Sequence, residues 1–196
     1  EGERIASLCN GGEARISKLE SKERQENPPR LYDLTSLQRD ANRLLGYTAQ
    51  QTLDYAQALY EKKLVTYPRT DSRYLTSHMA DGVQALADTV MNALPFSCDG
   101  SSPCNASQVV DDSKVSDHHA MIPTVGVNNA TLMELPAGER SILTLLMARL
   151  LCAVASPCHV TETIATLECN GVIFTAKGRQ VTNLGWKAIH KAYLAT

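Results

Sequence analysis

Residues 31–75 read "LYDLTSLQRDANRLLGYTAQQTLDYAQALYEKKLVTYPRTDSRYL", and a change of period inside this stretch decides the fold. Up to Leu64 the apolar residues recur at helical spacing. Leu37, Ala41, Leu44 and Leu45 fall on one side of a first helix, which Thr35 or Ser36 caps and Gly46 ends. Thr48 caps a second helix that turns Leu53, Ala56 and Leu59 inward and runs to about Lys62. Two helices joined by a short glycine turn make a helix–turn–helix-like pair, a pattern shared with ordinary helical hairpins. Pro68 then changes the geometry. It fixes its own φ and pushes Tyr67 out of the helical region into an extended one. In an extended chain side chains alternate, so Tyr67, Arg69 and Asp71 are expected on one face.

A tyrosine with an unperturbed pKa of ~10 is phenolate in only about one molecule in a thousand at neutral pH. To act as a nucleophile it needs a nearby cation, a proton acceptor or a polarised electrophile. Arg69 fits the first role, because a guanidinium grips two phosphate oxygens and does not lose its charge. Asp71 would orient Arg69. Residue types alone equally allow a strand aromatic beside a surface pair worth under ~1 kcal/mol. A second cluster, Asp117-His118-His119, precedes Ile122-Pro123-Thr124. Histidine carries protons or grips phosphate near neutral pH, yet also serves as a plain loop or capping residue. Adjacent histidines point to different sides, so at most one of them is expected at a given site.

Outward from these clusters, "EARISKLESKERQ" at 13–25 reads as a half-exposed strand, and Pro28-Pro29 break the chain after it. A third helix is expected around 77–94, a polar loop at 97–113, and a strong helix at 137–154. The chain ends in β patterns joined by Asn170-Gly171, a hairpin signal. The expected class is α+β, with a mainly helical domain at 31–156 inserted into a small antiparallel β arch formed by 1–30 and 157–196. "EGERIASLCNGG" at the start reads as a helix running into a glycine stop, as though cut from a longer chain.

The 196 residues are 43% apolar, enough for a real core and against wholesale disorder. A net charge of −2 gives no global case for nucleic-acid binding, but the charge is uneven. Residues 14–75 carry 11 Lys/Arg against 8 Asp/Glu, 76–135 carry one against seven, and 136–196 carry six against three. A polyanion would prefer the two ends. No apolar run approaches the ~18–20 residues of a membrane span, and the reading is a cytoplasmic protein. Six scattered cysteines suit free thiols better than a metal site, although Cys98 and Cys104 are spaced to bridge in an oxidising compartment.

Taken together and in this order, the motifs resemble the active-site region of type IA DNA topoisomerases, most closely the bacterial topoisomerase III branch. They are Leu34-Thr35-Ser36-Leu37-Gln38, Leu45-Gly46-Tyr47, Leu59-Tyr60-Glu61, Thr66-Tyr67-Pro68-Arg69-Thr70-Asp71 and His118-His119-Ala120-Met121-Ile122-Pro123-Thr124. Met121 stands where the family has Ile. "FTAKGRQVTNLGWKAIH" at 174–190 is similar to the family's strand and Gly-Trp segment.

The resemblance implies a winged-helix-like tyrosine domain. Tyr67 would be the nucleophile forming a 5′-phosphotyrosine link to single-stranded DNA, Arg69 would position phosphate and phenol, and His118 would contact phosphate or assist proton transfer. Asp71, Thr70, Arg73, Gln38, Arg39 and His119 would be supporting or DNA-binding. Resealing would need no ATP. The family's Mg2+-binding Toprim domain and its clamp would lie elsewhere in a full-length bacterial, nucleoid-associated enzyme. No Asp-x-Asp motif occurs in this chain, so it is expected to be inactive alone. The competing reading is a non-catalytic helix–turn–helix DNA-binding module in which Tyr67 stacks on bases. A tyrosine recombinase would need a separate Arg/His constellation, which the sequence does not show.

Overall fold

Asn170 and Gly171 take left-handed backbone, with φ of 46° and 78°, the geometry of a two-residue hairpin turn. They join β2 (Cys158–Cys169) to β3 (Val172–Asn183), and β1 (Arg15–Glu26) pairs with the other edge of β2. In the computed structural model, which describes residues 1–98 and 104–196, these form a three-stranded antiparallel sheet ordered β1-β2-β3. The register runs from Arg15 opposite Glu168 to Glu26 opposite Cys158, with a bulge between Ile16 and Lys18. α1 (Gly2–Cys9) completes this unit, which comprises residues 1–26 and 158–184. The residues expected in one half-exposed strand are instead exposed along almost the whole of β1. A three-stranded ribbon with no covering layer of its own leaves both faces open. Cross-strand pairs hold it, among them Arg24 with Glu162 at 2.6 Å and Arg179 with Glu26.

The second unit spans 27–157 and 185–196 and is helical. α2 (Leu34–Leu45) is capped by Asp33, not by Thr35 or Ser36. The Asp33 carboxylate accepts from Ser36 N while Ser36 Oγ accepts from Asp33 N, a reciprocal capping box. Gly46, at φ 73°, ends α2, and Thr48 with Gln51 caps α3 (Ala49–Glu61) in the same way. Thr52, Ala56 and Leu59 form the buried stripe of α3, while Leu53 is only half-buried. A 3₁₀ turn at 77–82 runs into α4 (Val83–Ala93), where one helix was expected, and the short α5 (Asn129–Glu134) follows the 105–128 segment.

α6 (Ala137–Val154) is the hub of this unit. Apart from Thr144 and Arg149 it is apolar from Ile142 to Val154 and buried on nearly every side, as a helix surrounded by others must be. α2, α3, α4 and α7 (Trp186–Leu194) all touch it. Ile142, Leu143, Leu146 and Leu150 are fully buried, each stabilising the fold by ~1.5–3 kcal/mol relative to exposure. Residues 185–196, expected with the arch, belong here because α7 buries Ile189 and Tyr193 in the helical core. β pairing in this unit consists, among the described residues, of isolated bridges: Tyr32 with Met121, Val65 with Pro123 and Leu75 with Val110. Part of the expected 97–113 loop lies outside the described residues.

Candidate active site

The segment after α3 reaches the surface under tight control. Lys62 Nζ holds Glu139 at the start of α6, and Lys63 turns the chain through a left-handed φ of 61°. Lys63 O accepts from Thr124 Oγ1 at 2.7 Å. From there the two motif clusters are sewn together. Thr66 N donates to Ile122 O at 3.0 Å, and Thr66 Oγ1 accepts from Ile122 N and donates to Ala120 O. Ala120 N donates to Tyr74 O at 2.8 Å, and Thr70 Oγ1 donates to His118 O at 3.0 Å. These bonds fix the second box against the first, although nearly fifty residues separate them in sequence.

Between these seams the alternation predicted from Pro68 holds. Pro68, Thr70 and Ser72 are buried, whereas Tyr67 is half-exposed and Arg69 and Asp71 are exposed. The Tyr67 ring is flanked by two others. His118 lies against it with centroids 4.4 Å apart, and Tyr60, from the last turn of α3, meets it edge-on at 5.4 Å. Among the described residues, the Tyr67 hydroxyl, the His118 ring nitrogens and the Arg69 guanidinium have no hydrogen-bond partner in the protein. The phenol and the imidazole thus meet with uncommitted polar atoms, and the exposed Arg69 guanidinium follows two residues after Tyr67. That set can receive a phosphodiester: the cation and the imidazole contact its oxygens, and the phenol approaches phosphorus.

Other expected residues fall out differently. Asp71 accepts from Ser116 Oγ at 3.5 Å and makes no ion pair with Arg69, so it is not the predicted orienter in this arrangement. Thr70, expected at a DNA backbone, is 5% exposed and bonds His118 O and Ser72 N, which makes it a positioning residue for the histidine loop. Arg73 donates from Nε to Leu31 O at 3.2 Å. Gln38 donates to Ala49 O and so braces α2 against α3, and Arg39 is exposed on α2. His119 turns its Nδ1 to Ala120 O at 2.8 Å, leaving His118 as the histidine that faces Tyr67. No group of three or more His, Cys, Asp or Glu gathers as a metal site among the described residues, so these residues do not fit a divalent ion.

Sequence reasoning missed two features. Tyr60 was visible only as part of a motif, and its helical position one turn before the break could have flagged it. The second feature is a buried network under α2. Asp40 Oδ2 accepts from Arg149 Nη2 at 2.5 Å and from the Tyr32 hydroxyl at 2.9 Å, and the Arg149 guanidinium lies 4.1 Å over the Tyr32 ring. Burial pushes the Asp40 carboxyl up, but the Tyr32 hydrogen bond and the Arg149 and Arg43 charges outweigh it and hold it below the usual carboxylate range.

Comparison with known proteins identifies the family. A family model described as DNA topoisomerase matches residues 1–195. DNA topoisomerase 3 of Bacillus subtilis (strain 168) is 39% identical over 201 residues, covering 95% of this chain and 26% of that protein. The Bacillus licheniformis DNA topoisomerase 3 is 40% identical over 195 residues, with the same coverage. The chain therefore spans about a quarter of the length of these curated relatives. Among solved structures, full-length topoisomerase I from Thermotoga maritima matches in fold with a TM-score of 0.73, over 97% of this chain and 32% of that one, at 21% identity. With the family model covering nearly all of its 196 residues, the chain belongs to the bacterial DNA topoisomerase family of type IA, whose motifs it carries.

Proposed function

We propose that this chain carries the tyrosine half of a type IA strand-passage site. The observation that carries the reading is the Tyr67 ring set against His118, with the polar atoms of both uncommitted among the described residues and the exposed Arg69 two positions along the chain. Tyr67 Oη attacks a phosphorus of single-stranded DNA, forming a 5′-phosphotyrosine bond as the P–O bond to the 3′ oxygen breaks. The phenolic proton leaves as the bond forms, and the departing 3′ oxygen takes up one proton. His118 contacts the phosphate or relays that proton, and Arg69 offsets charge on the non-bridging oxygens. The ester conserves the phosphodiester energy, so the 3′ hydroxyl reseals the strand without ATP.

The α2–α3 pair would be the helical part of a winged-helix-like support, with DNA crossing the Tyr67 face. Mg2+ would act from carboxylates of a Toprim domain elsewhere in the whole protein, which would also supply the clamp for the strand. The whole protein would work in the bacterial cytoplasm at the nucleoid. Among the described residues no helix is long and apolar enough to cross a membrane.

The test is Tyr67→Phe in the whole protein, assayed with a labelled single-stranded oligonucleotide. Binding is expected to persist while the denaturant-resistant protein–DNA adduct disappears. If the adduct persists, Tyr67 is not the nucleophile. If the unchanged protein forms no adduct at all, the non-catalytic DNA-binding reading prevails.

A further inference from the structure

The β unit contains a pair of cysteines that the proposed function does not use. α1 ends at Cys9 and β2 ends at Cys169, 160 positions later. Cys9 Sγ donates to Cys169 O at 3.4 Å, and Cys169 Sγ donates to Cys9 O at 3.8 Å. Each sulfur therefore lies close to the other residue's backbone, so the two side chains meet at one place. The surroundings hold this arrangement. Asn170 Nδ2 donates to Leu8 O at 2.7 Å, tying the end of α1 to the hairpin turn. Gly12 passes so close that a Cβ there would come within 3.0 Å of Cys169 Sγ. Both cysteines are reduced; Cys9 is partly exposed and Cys169 is buried.

We propose that Cys9 and Cys169 form a modification site, a dithiol that a low-molecular-weight disulfide converts reversibly into a protein disulfide. The order of events follows from exposure. Cys9 loses its proton to solvent, and its thiolate attacks one sulfur of the small disulfide, releasing one small thiolate and leaving a mixed disulfide. Cys169, deprotonated in turn, attacks the Cys9 sulfur and expels the second small thiolate. Two protein thiols are oxidised and one small disulfide is reduced to two thiols. The product ties α1 covalently to the Asn170-Gly171 turn, and an excess of small thiol reverses it.

Competing cysteines are less well placed. Cys152 is buried in the helical core, where desolvation pushes its thiol up to about 12, and Cys158 is also buried. Cys98 and Cys104 are half-buried in the other unit, and burial with Asp88 nearby pushes the Cys104 thiol up. Desolvation and the Cys169 thiol push the Cys9 thiol up as well, so closure is slow at neutral pH and speeds as pH rises.

The experiment incubates the reduced chain with oxidised glutathione, quenches with acid, and reads intact mass and non-reducing peptide maps. The expected result is loss of two hydrogens with one bridged peptide pair, Cys9 to Cys169. It should form faster as pH is raised from about 7 to about 9 and reverse with dithiothreitol. Cys169→Ser should trap glutathione on Cys9, and Cys9→Ser should leave Cys169 unmodified. A stable glutathione adduct on Cys9 of the unsubstituted chain, or a first bridge between any other two cysteines, overturns the proposal. The unsubstituted chain decides the matter even if either serine variant fails to fold.

Discussion

At the scale of single residues, Tyr67 is set by neighbours on both sides of its ring. His118 packs at 4.4 Å and Tyr60 meets it edge-on at 5.4 Å. An edge-to-face aromatic pair contributes ~0.5–1.5 kcal/mol beyond the area it buries. If Tyr60 narrows the directions open to the Tyr67 phenol, Tyr60→Ala should slow adduct formation in the whole protein by up to about tenfold. Tyr60→Phe keeps the ring edge and should restore the rate. A Phe variant as slow as the Ala variant would show that the Tyr60 hydroxyl, not its ring, matters. Oligonucleotide affinity should stay unchanged in both, because Tyr60 acts here through the ring it touches.

At the scale of elements, the Asp40–Arg149–Tyr32 network joins α2, α6 and the segment entering α2. Asp40→Asn leaves the Arg149 charge buried beside a neutral amide, which should destabilise the helical unit by ~3–5 kcal/mol. The pH dependence has a definite sign. Because the folded-state value of Asp40 is held below its ordinary one, its contribution is present above about pH 4 and is lost as pH falls through the folded value. Thermal unfolding followed from about pH 7 to about pH 3 should show the gap between wild type and Asp40→Asn closing toward the acid end. Glycines give a second contrast. Gly171, at φ 78° with open space around it, should tolerate Ala for about 1 kcal/mol. Gly185, at φ 49°, would drive a Cβ to 2.2 Å from Pro157 O, so Gly185→Ala should displace α7 and lower the unfolding midpoint far more.

These elements also show what was legible in the sequence. α6 and the Asn170-Gly171 hairpin could be read because a long, mostly apolar run and a turn dipeptide are local signals. The cap of α2 was misplaced because Thr35, Ser36 and Asp33 all qualify by type, and only the capping-box geometry chooses Asp33. The alternating burial of 67–72 followed from Pro68, but the Asp71–Arg69 pairing did not form, since Ser116 comes from a segment far along the chain. Long-range partners of that kind, including Arg149 for Asp40, carry no local pattern.

At the scale of the whole molecule, the chain presents Tyr67 as the proposed nucleophile, and its described residues gather no acidic metal-binding group. The Tyr67 face is open, and the apolar cleft of about 290 Å³ that includes Thr66 includes none of Tyr67, Arg69 and His118. An enzyme of this type must offset charge on both the attacking and leaving oxygens, which one guanidinium and one imidazole do only in part. The chain spans about a quarter of its curated relatives, and its described residues gather no metal-binding cluster. The purified chain should therefore leave a 5′-labelled single-stranded oligonucleotide intact at any Mg2+ concentration, while the whole protein converts it to a shortened labelled product and a covalent adduct. Nicking by the chain alone would mean that the Tyr67 face is a complete active site and that the division of labour proposed above is wrong. Nicking that also survives Tyr67→Phe would instead point to a contaminating nuclease, which makes the substituted chain the necessary companion measurement.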